Sequence, residues 1–388
     1  MSAAADVVVI GGGLHGLSTA LHLALRGIRA IVIEKDYAGR HASGVNAGGV
    51  RTLARHIAEV PLSLAAMEIW SNIRELVDDD CGLVSDGQVL IAEDEAEFAA
   101  MRGRVEELRL KGFTHEELIG REEPRRLVRC VAGHCPGGVV SRRDGAADPF
   151  RTTQAFRRKA EALGQRVIEG VTVGDLSRRG SSWHLTTTHG AFEAPIIVNA
   201  AGAWADRIAA SLSEPVPLEA VALLLMITVP MAAWIKPVVI LRGRKLSFKQ
   251  LASGAVLIGG GHAGRANRDE NRTELDWQKL AESARTVAEL FPVMRETPIL
   301  RAWAGIEARM PDELPVICRS ARYHGVFHQF GFSGHGFQLA PGVGALMAEL
   351  IATGRSNLAI ASFDIARFSG KPVTPRRFPP RRLRPWGE

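Results

Sequence analysis

Two stretches of the chain carry glycines at the spacing that a bound diphosphate requires. They are Gly11-x-Gly13-x-x-Gly16 in "VVVIGGGLHG" and Gly259-x-Gly261-x-x-Gly264 in "VLIGGGHAG". In such a turn the first glycine permits the tight bend, the second lets the backbone approach a pyrophosphate, and the third lets helix and strand pack closely. The following helix points unpaired N–H groups and its positive dipole end at the phosphates. The chemistry on offer is dinucleotide binding, and the elements around each copy decide whether it is realised.

The first copy has those elements. Ala5–Ile10 is a short apolar run that reads as a buried strand, and "LSTALHLALRG" puts Leu17, Leu21 and Leu25 on one helical face before Gly27 stops it. "RAIVIE" is the second strand of a βαβ unit and ends in Glu34, 18 residues after Gly16. An acid there can accept hydrogen bonds from an adenosine ribose and repels a 2′-phosphate, so FAD or NAD is favoured over NADP. Leu14 and His15 at the helix start, and Lys35 beside the acid, join the expected contact set. After Gly264 comes "RANRDENRTELDW", with no apolar helical face and no following buried strand that ends in an acid. The second copy is therefore expected to be a turn, and the chain to hold one dinucleotide.

A length of 388 residues suggests two domains, and 46% hydrophobic with 23% charged residues is ordinary for a globular enzyme. The four cysteines are too scattered for a disulfide framework or a metal cluster, so no metal is expected, and reduced thiols suit a cytoplasmic location. The longest apolar stretch, Val221–Ile235, is too short to span a bilayer and is broken by Pro230. The N-terminal apolar run lacks a basic flank, which argues against a secretory signal. Residues 369–388 hold six basic residues and one acid, leaving the first 368 a net +1 of the chain's +6. That Pro/Arg-rich tail is expected to lack fixed structure. A near-neutral body argues against nucleic acid, and membrane association would have to run through a partner or the tail.

Three later stretches separate FAD from NAD. They are "ASGVNAGGVR" (Ala42–Arg51), the strand and turn Ile197–Asp206 around Ala201-Gly202, and "GFSGHGFQLAPGVGALMAELI" (Gly331–Ile351). In this order they resemble the D-amino-acid oxidase, sarcosine oxidase and glycine oxidase superfamily of FAD enzymes. The resemblance covers most of residues 5–366, and it is strongest to the B subunits of opine oxidases and their amino-acid dehydrogenase relatives. It implies an α/β fold, α+β overall, in which a Rossmann-like FAD domain of glutathione-reductase type interleaves with an antiparallel-sheet substrate domain. The implied FAD domain is 1–84, 145–216 and 302–368, and the substrate domain is 85–144 and 217–301. Ser43, Asn46, Ala47, Gly48 and Gly49 are expected at the diphosphate and the flavin's polar edge, and Val171 at the adenine. Ala201, Gly202 and Trp204, with Gly334, His335, Gly336, Phe337 and Gln338, complete the set. The helix near Gly336 would aim its positive end at the flavin's pyrimidine ring.

The implied reaction oxidises a C–N bond beside a carboxylate by hydride transfer from Cα to flavin N5. The substrate would be an opine, a D-amino acid, sarcosine or a proline type. Arginine is the natural carboxylate anchor, and Arg51, directly after the flavin stretch, is the first candidate. Arg301, Arg309, Arg242 and Arg244 are the reserves. His335 and His262 fall near active-site positions of the family. Glu307 stands where glycine oxidases carry arginine, which would suit a cationic substrate group or an ion pair with Arg309 or Arg301. The lysines that help sarcosine oxidases react with oxygen are replaced by Leu257 and Gln338, which points to a dehydrogenase passing electrons to a partner subunit. Asn46 and Gly305 replace the flavin-linking residues of covalent relatives, so noncovalent FAD is expected. The alternatives are a stand-alone oxidase using oxygen and a flavin-bearing scaffold subunit that does no chemistry.

Overall fold

Val7–Ile10 forms the expected strand, buried along its whole length, at the heart of a six-stranded sheet. The computed structural model describes residues 3–128, 131–241 and 243–369. Cys130, Arg242 and the basic tail from residue 370 lie outside them. The sheet runs Val316–Arg319, Val326–Phe330, Ile196–Asn199, Val7–Ile10, Ala30–Ile33, Arg166–Ile168. All neighbours are parallel except the first pair. Strands covered on both faces must be apolar throughout, which is why they read as unbroken runs rather than alternations.

One face carries the helix Leu14–Ala24 packed against the helix Gly336–Thr353. Leu17, Leu21, Leu339, Val343 and Leu346 share their core. The two come very close: a Cβ on Gly344 would lie 2.1 Å from Ser18 Oγ. The helix Pro149–Ala162 covers the same face, started by Asp148, whose carboxylate accepts from Arg151 N at 2.8 Å. The other face is covered by a four-stranded sheet that includes Val173–Arg179, Ser182–Thr187 and Gly190–Ala194.

A ten-stranded sheet makes the second layer. Its central strands are Gln88–Ala92, Val238–Leu241, Ser247–Gln250, Val256–Gly259 and Glu219–Thr228. Here the side chains alternate. Val89, Val239, Phe248, Val256 and Ile258 pack with Leu280, Leu290 and Phe291 under the helix Trp277–Leu290, while Gln88, Ile240, Ser247 and Leu225 face the cleft toward the six-stranded sheet. The strand Ile299–Arg309 pairs along nearly all of Glu219–Thr228, so the boundary expected at residue 302 falls inside a strand of the large sheet. Among the described residues no helix is long and apolar enough to cross a membrane.

Candidate active site

The two layers enclose a cavity of about 970 Å³ that starts at the first glycine motif and ends under the large sheet. Gly11, Gly13, Leu14 and His15 form its near wall. Gly11 adopts φ +115°, and a Cβ there would lie 2.3 Å from the Ala200 carbonyl. Gly16 is not on the wall. A Cβ on it would sit 2.0 Å from the Gly11 carbonyl, so its role is the close packing of turn and helix. Glu34 closes the motif: its Oε2 accepts from Gly12 N at 2.7 Å and its Oε1 from Asp36 N at 2.9 Å. Burial pushes this carboxyl's pKa up.

Lys35, Val171, Ala201, Gly202 and Trp204 line the same end. Lys35 Nζ sits 3.7 Å from the Trp204 ring centroid, a cation–π contact, and donates to Asn271 Oδ1 at 2.8 Å. Asn271 in turn donates to both Asp36 oxygens. The polar stretch after Gly264 thus forms a hairpin, Ala263–Asn267 with Arg272–Glu274, clasped onto the end of the first βαβ unit. Arg268 extends the clasp by donating to Ala203 O at 2.7 Å and Asp206 at 2.6 Å.

The loop after the second strand supplies the next wall. Ser43 Oγ accepts from Leu14 N at 2.9 Å. Asn46 lies on the wall, yet its amide donates to the Ala42 and Ser43 carbonyls and its oxygen accepts from Gly48 N at 2.7 Å. Its side chain therefore shapes the loop and is not free for a ligand. Ala47 and Gly49 face the cavity, whereas Gly48 (φ +66°) turns its Cβ side away, against the Ala147 carbonyl and Lys249.

Arg51 and Arg55 stand together beyond this loop. Arg51 Nη1 donates to Leu53 O at 3.0 Å. Arg55, which spacing alone did not single out, is 2% exposed and better placed. Its Nε donates to Arg51 O at 2.9 Å, its Nη2 reaches His335 O and Gln338 Oε1 at 3.4 and 3.3 Å, and its Nη1 has no protein partner. Burial and the charge of Arg51 lower its pKa to about 9. Glu59, fully buried, was also missed. Burial opposes its charge, but His335, Arg55 and Arg51 outweigh that and hold its pKa below the ordinary value. His335 Nδ1 lies 3.1 Å from Glu59 Oε2, and burial pushes the imidazole's pKa down against the pull of Glu59. The spacing Arg51-x3-Arg55-x3-Glu59 is the one sequence signal for this cluster.

Gly334, Gly336 and Phe337 are on the wall at the start of the long helix. Gln338 is not. It is buried beneath, accepting from Ser63 Oγ at 3.0 Å and donating to Ser63 O at 2.8 Å. His15 stacks on Phe332, ring centroids 3.6 Å apart, with both ring nitrogens buried and unpartnered. Burial lowers its pKa to about 3. Glu307 lies on the cavity wall, its Oε1 accepting from Gly334 N. Burial raises its pKa to about 7, against the opposing pull of Gly334 N–H and Arg309.

Of the other expected residues, Arg244 and Arg309 line the cavity but are paired with acids, and His262, Arg301 and Leu257 are off its wall. His262 is buried and absent from the wall, although Gly260 and Gly261 are on it. Its backbone oxygen accepts from Leu224 N, and the charges nearest its ring are Glu282, Lys245, Lys279 and Asp276. The chain bulges there and continues along Glu219–Thr228 in the same direction, pairing at Met226 and Ile227 and then at Ala222 and Leu223. Arg244 is consumed by Glu93 and Glu289. Arg309 pairs with Glu313 at the rim, and Arg301 is exposed. Leu257 pairs directly across the strands with Lys249.

The glycine turn that a side chain would block, the acid beyond it and the orphaned polar atoms of His15, Arg55 and Gln88 together suit a flavin dinucleotide with room for a small substrate. The family model described as "FAD dependent oxidoreductase" matches residues 6–350. The chain is 26% identical to the sarcosine oxidase subunit beta of Rhodobacter capsulatus, over 94% of this chain and 88% of the relative. It is 29% identical to the glycine oxidase of Geobacillus kaustophilus, over 94% and 98%. Among solved structures, L-proline dehydrogenase from P. horikoshii superposes with a TM-score of 0.88 at 29% identity, covering 95% of this chain and 98% of that one.

Proposed function

The chain belongs to the family of FAD-dependent oxidoreductases, and from that premise we propose that it oxidises the C–N bond of a small amino or imino acid and passes the electrons to a partner subunit. The observation that carries the substrate reading is Arg55: a guanidinium buried on the cavity wall with only neutral hydrogen-bond partners and an orphaned Nη1. A buried guanidinium with an unpaired Nη1 and no carboxylate bonded to it is costly, and a carboxylate is the ligand that a guanidinium fork holds best. Arg51 lines the same wall and adds charge. We therefore shift the role of first anchor from Arg51 to Arg55.

Bound FAD supplies the hydride acceptor at N5. In this reading Gly11, Gly13 and Leu14 hold the diphosphate, Glu34 the ribose, and the backbone of Ala47 and Gly49 the flavin edge. Gly334–Phe337 would present the helix N-terminus to the pyrimidine ring. Asn46 and Gly305 offer the flavin no histidine or cysteine to link to, which favours noncovalent binding. The substrate's amine must be neutral when its Cα hydrogen leaves. Glu307, with a pKa of about 7 and one oxygen uncommitted, is positioned to take the ammonium proton. Glu59 accepts a hydrogen bond from His335 Nδ1–H and so favours the tautomer that leaves Nε2 as an acceptor. The sheet residues Ile240, Leu225 and Leu223 keep the far end apolar and exclude water.

The relative named a sarcosine oxidase subunit supports the partner reading. A second reading, a stand-alone oxidase, is favoured by Lys249, which offers a cation beside the position where Leu257 was expected to leave none. One experiment separates them. Holoenzyme is mixed anaerobically with opines, D-amino acids, sarcosine and proline derivatives while the flavin absorbance is followed. Bleaching by one of these, re-oxidation faster by an artificial dye than by air, and a rise of roughly tenfold to a hundredfold in substrate Kd for Arg55→Met are expected. A flavin that dithionite bleaches but no amino acid does would leave a scaffold role. Peroxide formed as fast as the dye turns over would establish the oxidase.

A further inference from the structure

Lys249 is the one lysine among the described residues that is buried, 8% exposed; its backbone pairs with Leu257 in the sheet, and its ammonium makes no hydrogen bond or ion pair with a described residue. The acid whose field reaches it is Asp148, and that carboxylate is committed to capping the helix Pro149–Ala162. Burial lowers the lysine's pKa to about 8, which leaves it charged at neutral pH. An isolated buried ammonium is costly, and folds keep one where a negative charge comes to meet it.

The geometry says where that charge arrives. Ser247–Gln250 alternates: Phe248 enters the core below the sheet, while Ser247 faces the cavity, and Lys249 shares its face. Lys249 Nζ lies 3.2 Å from where a Cβ on Gly48 would stand. Gly48 sits between Ala47 and Gly49, both on the cavity wall, and the loop is closed by Gly48 N donating to Asn46 Oδ1. The ammonium is thus held directly behind the loop. A side chain at Gly48 would push it away.

We propose that Lys249 is the fixed counter-charge of the reduced flavin, acting through the 46–49 loop. Bound FAD would gain negative charge over N1 and the C2 carbonyl on reduction, and the low-dielectric wall would carry the attraction of Lys249 to it. Lys249 is a positioning residue for charge and touches no substrate. The inference rests on reading the 46–49 loop as a flavin contact.

Sulfite tests it without turnover. Its sulfur lone pair forms a bond to flavin N5, and the pair displaced from the N5=C4a bond becomes negative charge on the same N1–C2 edge. No oxidant or reductant is needed. In the holoenzyme at pH 7, Lys249→Met should raise the sulfite Kd at least tenfold and lower the flavin's reduction potential, with FAD content retained and Lys249→Arg recovering most of both. If the Met variant does not fold, the ratio of sulfite Kd between Lys249→Gln and Lys249→Arg reads the same quantity. Unchanged sulfite affinity and potential in the uncharged variant, while Asn46→Ala weakens FAD binding, would overturn the role of Lys249 alone. If Asn46→Ala changes neither FAD nor sulfite affinity, the loop reading fails and the proposal with it.

Discussion

The two glycine motifs share a spacing and differ in everything that surrounds it. Gly11–Gly16 joins a strand of a parallel sheet to the helix Leu14–Ala24, so three glycines turn the chain and leave a helix N-terminus facing the cavity. Gly259–Gly264 joins two strands that both pair antiparallel with Glu219–Thr228, so there is no helix and no dipole. Its glycines solve crowding problems instead: a Cβ on Gly260 would lie 2.4 Å from Leu246 N, and one on Gly264 2.0 Å from the Glu274 carbonyl. The lesson is that glycine spacing reports a sharp turn with close backbone contact, and only the next element reports a ligand.

The comparison breaks or sharpens by experiment, and the largest effects are on folding. Gly16→Ala and Gly264→Ala each force a methyl to 2.0 Å from a carbonyl oxygen, so each should cost about 3 kcal/mol or more in chemical denaturation of the apoprotein. Their folded fractions should differ: the Gly264 variant should bind FAD with unchanged affinity. A comparable affinity loss there would erase the distinction between the motifs.

Next come the acids. Glu34→Gln should weaken FAD binding by roughly tenfold, the scale of one charge-assisted hydrogen bond. Glu274→Gln, on the exposed hairpin after the second motif, should leave fluorescence-quenching titrations with FAD unaltered. A smaller effect concerns the clasp between the two regions. Asn271 adopts φ +56°, so Asn271→Gly keeps the backbone while removing the bonds to Lys35 and Asp36. FAD release should quicken by about threefold to tenfold, and an unchanged release rate would reduce the hairpin to packing.

The smallest effect is read by pH at the cavity's other end. Glu307 has a folded pKa of about 7, above its ordinary 4.5. The unfolded chain therefore loses this proton first, and wild-type stability falls as pH rises from about 4.5 to 7. Apo Glu307→Gln should match wild type at pH 4 and exceed it above pH 7, by on the order of 1–3 kcal/mol. Equal stability at both pH values would show that the carboxyl is freely solvated.

Much of the cofactor end was legible because its signals are local. Apolar runs, a helical face and an acid at a fixed distance lie within 30 residues, and the strand, helix and turn formed as read. Membership in the FAD-dependent family, the mixed α/β fold and the decision for one dinucleotide motif followed from those signals and the later Gly-rich stretches. The substrate end was less legible. Arg55 meets Gln338, and Glu59 meets His335, across more than 270 residues of chain, and no spacing rule encodes those encounters. His262 sits beside two wall glycines in sequence, yet it is not itself on the wall. Lys249 is hidden in a short polar alternation, and only the pairing with Leu257 shows that a lysine stands on the neighbouring strand.

The most direct measurement compares FAD content in three purified chains. Acid-released FAD per chain should be close to one for the wild type. Gly13→Ala places a methyl on the cavity wall 2.9 Å from Ser43 Oγ and should hold less than about a tenth of that. Gly261→Ala, strained by φ +90° but with nothing within 4 Å of the new methyl, should keep its FAD while losing some thermal stability. Equal FAD loss in two folded variants, or two FAD molecules in the wild type, would contradict the account.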